Sequence, residues 1–386
     1  MNKTIILGTT IAAALFASCN KTDNEPVQTV PYNGLSSTTN YLQTFKGPDS
    51  NTSVDFSGQM VRVNMMKEMD VYMKTWNTAS LDASKLKDMF ENKNSPFSSS
   101  ELNAETGKTI VSKTAQSFST SDADAERQRF YGYFDGLASA SASRGQAASQ
   151  GIAGVLDNKY LVNEKGFEYG QFIQKGLIGA MMLDQISNIY LGSEKQNADN
   201  DAFVTGKNYT QLEHHWDEAY GYLTQNEVYP KADPNDGTKF LESYLGSYVR
   251  QVNAPNGNPS DVYMAFLKGR AAIVNNDGAT RNAQIAYIRT ALEKSIATIA
   301  VSYLNKTKTA TSDGAKFHAL SEGAGFVYAL RFGHNAKINK AKSDQLLDVL
   351  TGKINGFWSL TNTDLEHVRN EIATAFGIDK ETVVNH

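Results

Sequence analysis

Apolar residues recur at three- and four-residue spacings along most of the chain, and strict alternation of apolar and polar residues is scarce. The first spacing is typical of amphipathic helices that bury one face in a core. Eight prolines among 386 residues leave room for long uninterrupted helices. The pattern therefore predicts an all-α fold, a bundle of roughly ten helices.

Each predicted helix follows a run of this periodicity between polar or glycine-containing stretches. The helices are predicted at residues 57–72, 81–90, 123–143, 166–191, 212–223, 240–252, 260–274, 283–304, 318–332, 346–350 and 365–376. Residues 41–45 and 159–162 have extended character, whereas residues 92–122 and 230–238 are polar and predicted to be irregular.

One polar motif occurs twice, in LEHHWDEAYGYL at residues 212–223 and in FHALSEGAGFVYAL at residues 317–330. The first copy is His214, Glu218 and Gly221, and the second is His318, Glu322 and Gly325. Positions i, i+4 and i+7 lie on one face of a helix, so each copy presents a histidine–glutamate stripe. Because glycine has no Cβ, another helix or a ligand could approach closely at Gly221 and Gly325.

The surroundings of the motif also recur. A long apolar helix ending in Tyr190-Leu191 precedes the first copy, and one ending in Tyr303-Leu304 precedes the second. In each case a polar loop leads into the histidine–glutamate helix. These parallels predict an internally duplicated bundle, with pseudo-repeats at about residues 160–230 and 280–335.

A histidine and a glutamate one helical turn apart can bind a common metal ion, or the glutamate can orient the histidine. Two such pairs brought together would form a His₂Glu₂ site suited to zinc or iron, and a neutral histidine could also bind haem iron. His215, beside His214, is an alternative partner of Glu218. The competing interpretation is structural, with each pair satisfying its own hydrogen bonds inside the bundle and each glycine marking a helix crossing.

Composition excludes several classes of function. The net charge is −4, so the chain lacks the basic surface of a nucleic-acid-binding protein. The sequence also lacks an HEXXH zinc-protease motif, a Walker loop, a GxSxG elbow and any cysteine–histidine arrangement, because its single cysteine is Cys19. Catalysis is therefore not favoured.

The N-terminus has the pattern of an exported protein. Lys3, the apolar run at residues 5–16 and the small residues Ala17 and Ser18 predict a signal peptide at residues 1–18. FASC resembles a bacterial lipobox, which implies that Cys19 becomes a lipidated N-terminus anchored in a membrane. Residues 19–35 then form a polar tether and residues 36–386 a single helical domain.

Four blocks resemble a family of Bacteroidetes-type lipoproteins whose domain has no assigned function: TQLEHHWDEAYGYL, FHALSEGAGFVYALRF, FSGQMVRVNMMKEM and FEYGQFIQKGLIGA. More distantly the chain is similar to imelysin-like proteins, which are exported, duplicated, all-helical and often associated with iron uptake. In their G-x-H-x-x-E hallmark, His215 and Glu218 match, while Glu213 replaces the glycine.

The resemblance and the doubled motif together suggest an outer-membrane lipoprotein, periplasmic or surface-exposed, that binds iron, zinc, haem or an iron complex. Its ligands would be His214 or His215, Glu218, His318 and Glu322. The alternative is a non-catalytic interaction or scaffold lipoprotein, accessory to a nutrient-uptake receptor, in which the stripes are internal polar crossings.

Overall fold

The computed structural model describes residues 29–254 and 260–383, and the predicted signal peptide and Cys19 lie outside these ranges. The described chain is mostly helical, as the sequence predicts. Its helices are α1 (Tyr41–Thr44), α2 (Ser57–Lys74), α3 (Ala83–Glu91), α4 (Ser100–Ala104), α5 (Thr120–Ser141), α6 (Tyr169–Leu177), α7 (Ser193–Gln196), α8 (Gln211–Leu223), α9 (Tyr244–Asn253), α10 (Asp261–Val274), α11 (Gly278–Thr309), α12 (Asp313–Ala329), α13 (Lys340–Thr351) and α14 (Asn362–Phe376).

The strands of the described residues form two small antiparallel hairpins. One pairs β1 (Gly154–Leu156) with β2 (Tyr160–Val162), which confirms the extended stretch expected near residues 159–162. The other pairs β3 (Ala232–Asp233) with β4 (Asp236–Phe240), where the sequence predicts only an irregular break.

Some local predictions were wrong, and tertiary contacts explain the differences. Tyr41 begins a helical turn instead of a strand, because Asn40 accepts a hydrogen bond from the Gln43 backbone and the Tyr41 ring stacks on Tyr220 at 4.0 Å. Helix α4 lies in the stretch expected to be irregular. Helix α11 continues through the expected loop after Leu304, where Asn305 bonds to the Lys380 carbonyl of the C-terminal segment.

The helix predicted over residues 166–191 has two kinds of winding. Helix α6 covers its first part, and π-helical segments follow at Ile178–Leu183 and Gln185–Tyr190. In the first π segment a Cβ on Gly179 would lie only 2.4 Å from the Ala329 Cα, so this segment crosses the end of α12 closely. Apolar periodicity does not distinguish the two windings, because both bury a continuous apolar stretch.

The long helix α11 lies at the centre and packs against α9, α10, α12 and α14. Helix α12 also packs on α6, and α8 packs between α2 and α10. The two motif helices α8 and α12 are therefore both flanked on more than one side. The predicted duplication remains a prediction. Within the described residues no helix is long and apolar enough to span a membrane.

A buried ion network joins α8 to α10 and to the N-terminal segment. The Arg270 guanidinium is fully buried and donates to Glu213 at 2.6 Å and to Asp217 at 3.0 Å. It also donates to Ser53 at 2.8 Å, and the Tyr41 hydroxyl donates to Asp217 at 2.8 Å. Burial raises the pKa of Asp217 to about 7, while Arg270 opposes that rise. The network therefore fixes these segments to one another.

Removing the cation tests this network. Arg270→Met is expected to lower the free energy of unfolding by about 3–5 kcal/mol, because it leaves two carboxylates buried without their partner. Urea unfolding followed by far-UV circular dichroism measures the change. Lys239→Met, in an exposed pair with Asp236 at 2.8 Å, is the control and should cost less than about 1 kcal/mol. Equal losses in the two variants would contradict the proposed importance of the buried network.

The motif glycines give a second test. A Cβ on Gly221 would lie 2.5 Å from the Phe56 Cβ, and one on Gly325 would lie 2.5 Å from the Lys175 Cβ. Gly221→Ala and Gly325→Ala should therefore each destabilise the protein by about 1–3 kcal/mol through overpacking. Gly132→Ala, within α5 and with no atom within 4 Å of the new methyl group, should stabilise it by about 0.5–1 kcal/mol. If thermal unfolding shows the same change in stability for all three variants, the close approach at Gly221 and Gly325 is refuted.

Candidate functional site

The second motif lies at the surface of an open cleft. Helix α12 begins at a Ser312 cap, whose side chain accepts from the Ala315 backbone. His318 follows one turn later, and 24% of its side chain is exposed. The Tyr160 ring of the β1–β2 hairpin lies 4.6 Å from the imidazole, centroid to centroid, which covers one side of it.

Two carboxylates hold the His318 ring in place. Its Nδ1 lies 2.7 Å from Glu168 Oε2, at the start of α6, and its Nε2 lies 3.5 Å from Glu322 Oε2. A carboxylate accepts hydrogen bonds, so the contact with Glu168 places a proton on Nδ1. Nε2 faces the second carboxylate, Glu322.

A buried cation fixes Glu322 from the other side. Lys175 Nζ lies 2.8 Å from Glu322 Oε1, and the two side chains are 3% and 8% exposed. Lys175 also donates to Gln171 at 2.8 Å. Because Gly325 has no side chain, α6 can approach α12 closely enough to form this ion pair.

The cleft above this pair has a volume of about 460 Å³. Its walls come mainly from α9 and α11, and they present tyrosines, uncharged polar groups and Lys306. Besides His318 and Glu322 the lining consists of Gln174, Glu242, Ser243, Tyr244, Ser247, Tyr248, Gln251, Tyr303 and Lys306. Burial raises the pKa of Tyr248 and of Tyr303, so both phenols remain protonated. The cleft can therefore offer aromatic surface, hydrogen bonds and a histidine–glutamate pair to one ligand.

The first motif has a different environment. His214 stacks on the Tyr209 ring at 4.6 Å, and its Nε2 lies 3.9 Å from Glu218 Oε2. Glu218 accepts a hydrogen bond from Gln59 at 2.8 Å, so its partner is a neutral amide of α2. The buried Nδ1 of His214 has no hydrogen-bond partner among the described residues. Within the described part of the chain, no carboxylate contacts this Nδ1 in the way that Glu168 contacts that of His318.

His215 forms hydrogen bonds within the protein through both of its ring nitrogens. Its Nδ1 lies 3.0 Å from the Lys195 carbonyl and its Nε2 lies 2.9 Å from the Gln211 side chain. The carbonyl requires the proton on Nδ1, so Nε2 accepts from the Gln211 amide. Both ring nitrogens are thus used within the protein, and Glu218 faces His214 instead.

The structure does not bring the two motifs together. In the described ranges no group of three or more histidine, cysteine, aspartate and glutamate side chains is placed to hold a metal ion. Glu168 and Glu322 contact opposite nitrogens of one imidazole, so these carboxylates do not converge on a point. Gly221 and Gly325 both lie where another segment crosses the motif helix. The four-ligand arrangement is therefore not formed.

Sequence reasoning missed Glu168, Lys175 and Tyr160. Glu168 is 150 residues from its partner His318, and a single sequence gives no sign of that pairing. A weaker signal was present for the first two, because both charges interrupt a strongly apolar stretch at residues 166–191. Charges buried in such a stretch need partners, so both could have been marked as paired.

Residues 42–379 match a family model described as Domain of unknown function (DUF4856). The matched region runs from the first helix to just beyond the last, so it includes both motifs and the cleft. No curated protein and no solved structure matches the chain.

The hydrogen bonds of His215 predict a pH effect on stability. Burial lowers the pKa of His215 below its ordinary 6.5, an effect that the Lys195 carbonyl partly opposes. The folded state disfavours the charged ring. The stability that neutral His215 contributes is therefore present above pH 6.5 and is lost as the pH falls below 6.5. Urea unfolding between pH 7 and pH 5, chosen as the range about the ordinary histidine pKa, should show this loss in the wild type and a smaller one in His215→Gln. Equal pH dependence in the two proteins would refute it.

Proposed function

The chain belongs to the DUF4856 family, whose domain has no assigned function, and we propose that it is a non-catalytic envelope lipoprotein that binds an iron complex or haem. His318 and Glu322 are its protein ligands, and the cleft beside α9 and α11 holds the organic part of the complex. Cys19 supplies the membrane anchor, and a receptor for uptake is the expected partner.

The orientation of His318 is the observation that carries this proposal. Histidines that bind metals usually donate their second ring N–H to a carboxylate, which fixes the tautomer and increases the basicity of the other nitrogen. Glu168 accepts from Nδ1 at 2.7 Å, and Nε2 faces Glu322 at the edge of the cleft. His214 lacks such a carboxylate partner in the described residues, so His318 is the favoured ligand.

The cleft suits a metal that brings donors of its own. His318 and Glu322 provide two donor atoms, and the chelator or porphyrin fills the other coordination positions. A volume of about 460 Å³ lies within the range of sites for small organic ligands. The resemblance to imelysin-like proteins agrees with this class of ligand.

The second candidate is a non-catalytic interaction or scaffold lipoprotein. The buried pair of Lys175 and Glu322 favours it, because Glu322 is already satisfied at 2.8 Å without a ligand. In that case His318 is a helix-crossing residue, and its removal costs stability alone, about 1–3 kcal/mol for the carboxylates left without their partner.

Ligand titrations of the purified full chain distinguish the two. Haem titration followed in the Soret region, and iron and zinc measured by elemental analysis, should show binding by the wild type that His318→Ala abolishes. Glu168→Gln should weaken binding by about 10–100-fold, as loss of an outer-shell carboxylate does. His367→Ala, an exposed histidine on α14, is the matched control and should bind normally.

Absence of haem binding and of retained metal in the wild type would overturn the iron-complex proposal. Binding that persists unchanged in His318→Ala but is lost in His214→Ala would instead transfer the site to the first motif. A folded His318→Ala protein that differs from the wild type in stability alone would favour the scaffold function.

A further inference from the structure

A second cavity, of about 210 Å³, lies where α5, the segment before α6, α13 and the 3₁₀ turn Gly356–Ser359 meet. It shares no lining residue with the His318 cleft. Its lining consists of Arg129, Tyr133, Asn163, Lys165, Phe167, Tyr169, Phe172, Leu347, Thr351, Gly356 and Phe357. Nothing in the proposed function uses this cavity.

The walls form a connected aromatic surface. Phe167 contacts Phe172 and Phe357 at ring-centroid distances of 5.2 and 5.5 Å, and Tyr133 contacts Phe172 at 4.7 Å. Leu347 completes the apolar wall. Because these rings already pack against one another, they have little freedom to move into the cavity. An apolar cavity of about 150 Å³ admits benzene, so this one is large enough for a single aromatic ring.

The same cavity has basic groups at its edge. Arg129 lies 3.2 Å from Asp344 and 3.7 Å from Glu126. Those two carboxylates are shared with Arg331 and Lys340, so three cations surround two anions. The cluster therefore carries one more cation than anions, and Arg129 is its member that lines the cavity.

Lys165 adds a second cation to the lining. Its side chain is exposed, and its backbone carbonyl accepts from Phe357 N at 2.9 Å, which holds it beside the cavity. Glu164 brings a negative charge to this region. That charge raises the pKa of Tyr169, although burial of the phenol is the larger cause of the rise. The cavity thus combines an apolar interior with a net cationic edge.

We propose that this cavity binds a small aromatic carboxylate, with its single ring among Phe167, Phe172 and Leu347 and its carboxylate on Arg129 and Lys165. The ring gains apolar burial, and the guanidinium and ammonium groups supply charge-assisted hydrogen bonds. The positive edge selects the anion over an uncharged or cationic ring of the same size.

Phenylacetate is the probe. Titration into the full chain, followed by ligand-observed NMR, should give saturable binding, whereas phenethylamine, with the opposite charge, should not bind. Leu347→Trp, which fills the cavity, should abolish binding. Arg129→Gln and Lys165→Gln should each weaken it about tenfold, the loss expected for one charge-assisted hydrogen bond. Lys268→Gln removes a charge from α10, which contributes no residue to the cavity, and should leave binding unchanged.

Several results would overturn the proposal: no saturable binding of phenylacetate, equal binding of phenethylamine, or unchanged binding in a folded Leu347→Trp protein. If circular dichroism shows that Leu347→Trp does not fold, Thr351→Trp fills the cavity from a half-buried position and decides in its place. These results are independent of haem or metal binding at His318, because the two sites share no lining residue.

Discussion

Burying a positive charge between helices is costly, and the way this chain meets that cost determines how its helices fit together. Three cations are at most 3% exposed: Arg270, Arg331 and Lys175. Each is paired with a carboxylate of a different helix: Arg270 with α8, Arg331 with α5 and α13, and Lys175 with α12. A buried charge without its partner destabilises a protein by several kcal/mol. Apolar contacts alone would tolerate small shifts between helices, whereas a shift at these pairs would separate a buried charge from its partner.

The candidate site is a direct product of the same constraint. Glu168 precedes the first residue of α6, and Lys175 lies seven residues later within the helix. This spacing places both on one face, so they reach the same neighbouring helix. His318, Glu322 and Gly325 have the matching spacing on α12. Glu168 then meets His318, Lys175 meets Glu322, and Gly325 provides the space for Lys175. The pairing that stabilises the crossing of α6 and α12 also directs one imidazole nitrogen toward the cleft.

The first motif shows that spacing alone does not make such a site. His214, Glu218 and Gly221 have the same separations on α8, yet the segment that crosses them brings Gln59 and Phe56. A neutral amide satisfies Glu218, and no carboxylate orients His214 among the described residues. Two helices that carry the same motif therefore offer a ligand different side-chain chemistry, because different neighbours cross them. The buried His215 beside them illustrates the same point, since both its nitrogens are used in packing.

The sequence by itself determined the helical class, the positions of the long helices and the two histidine–glutamate stripes, because helical periodicity and i, i+4 geometry are local properties. It also indicated close crossings at Gly221 and Gly325. Only the tertiary structure decided that Glu168 orients His318, that Lys175 neutralises Glu322, and that the two stripes stay apart. Those facts depend on contacts between segments up to 150 residues apart, and which segments meet is set by the packing and charge pairing of the whole chain.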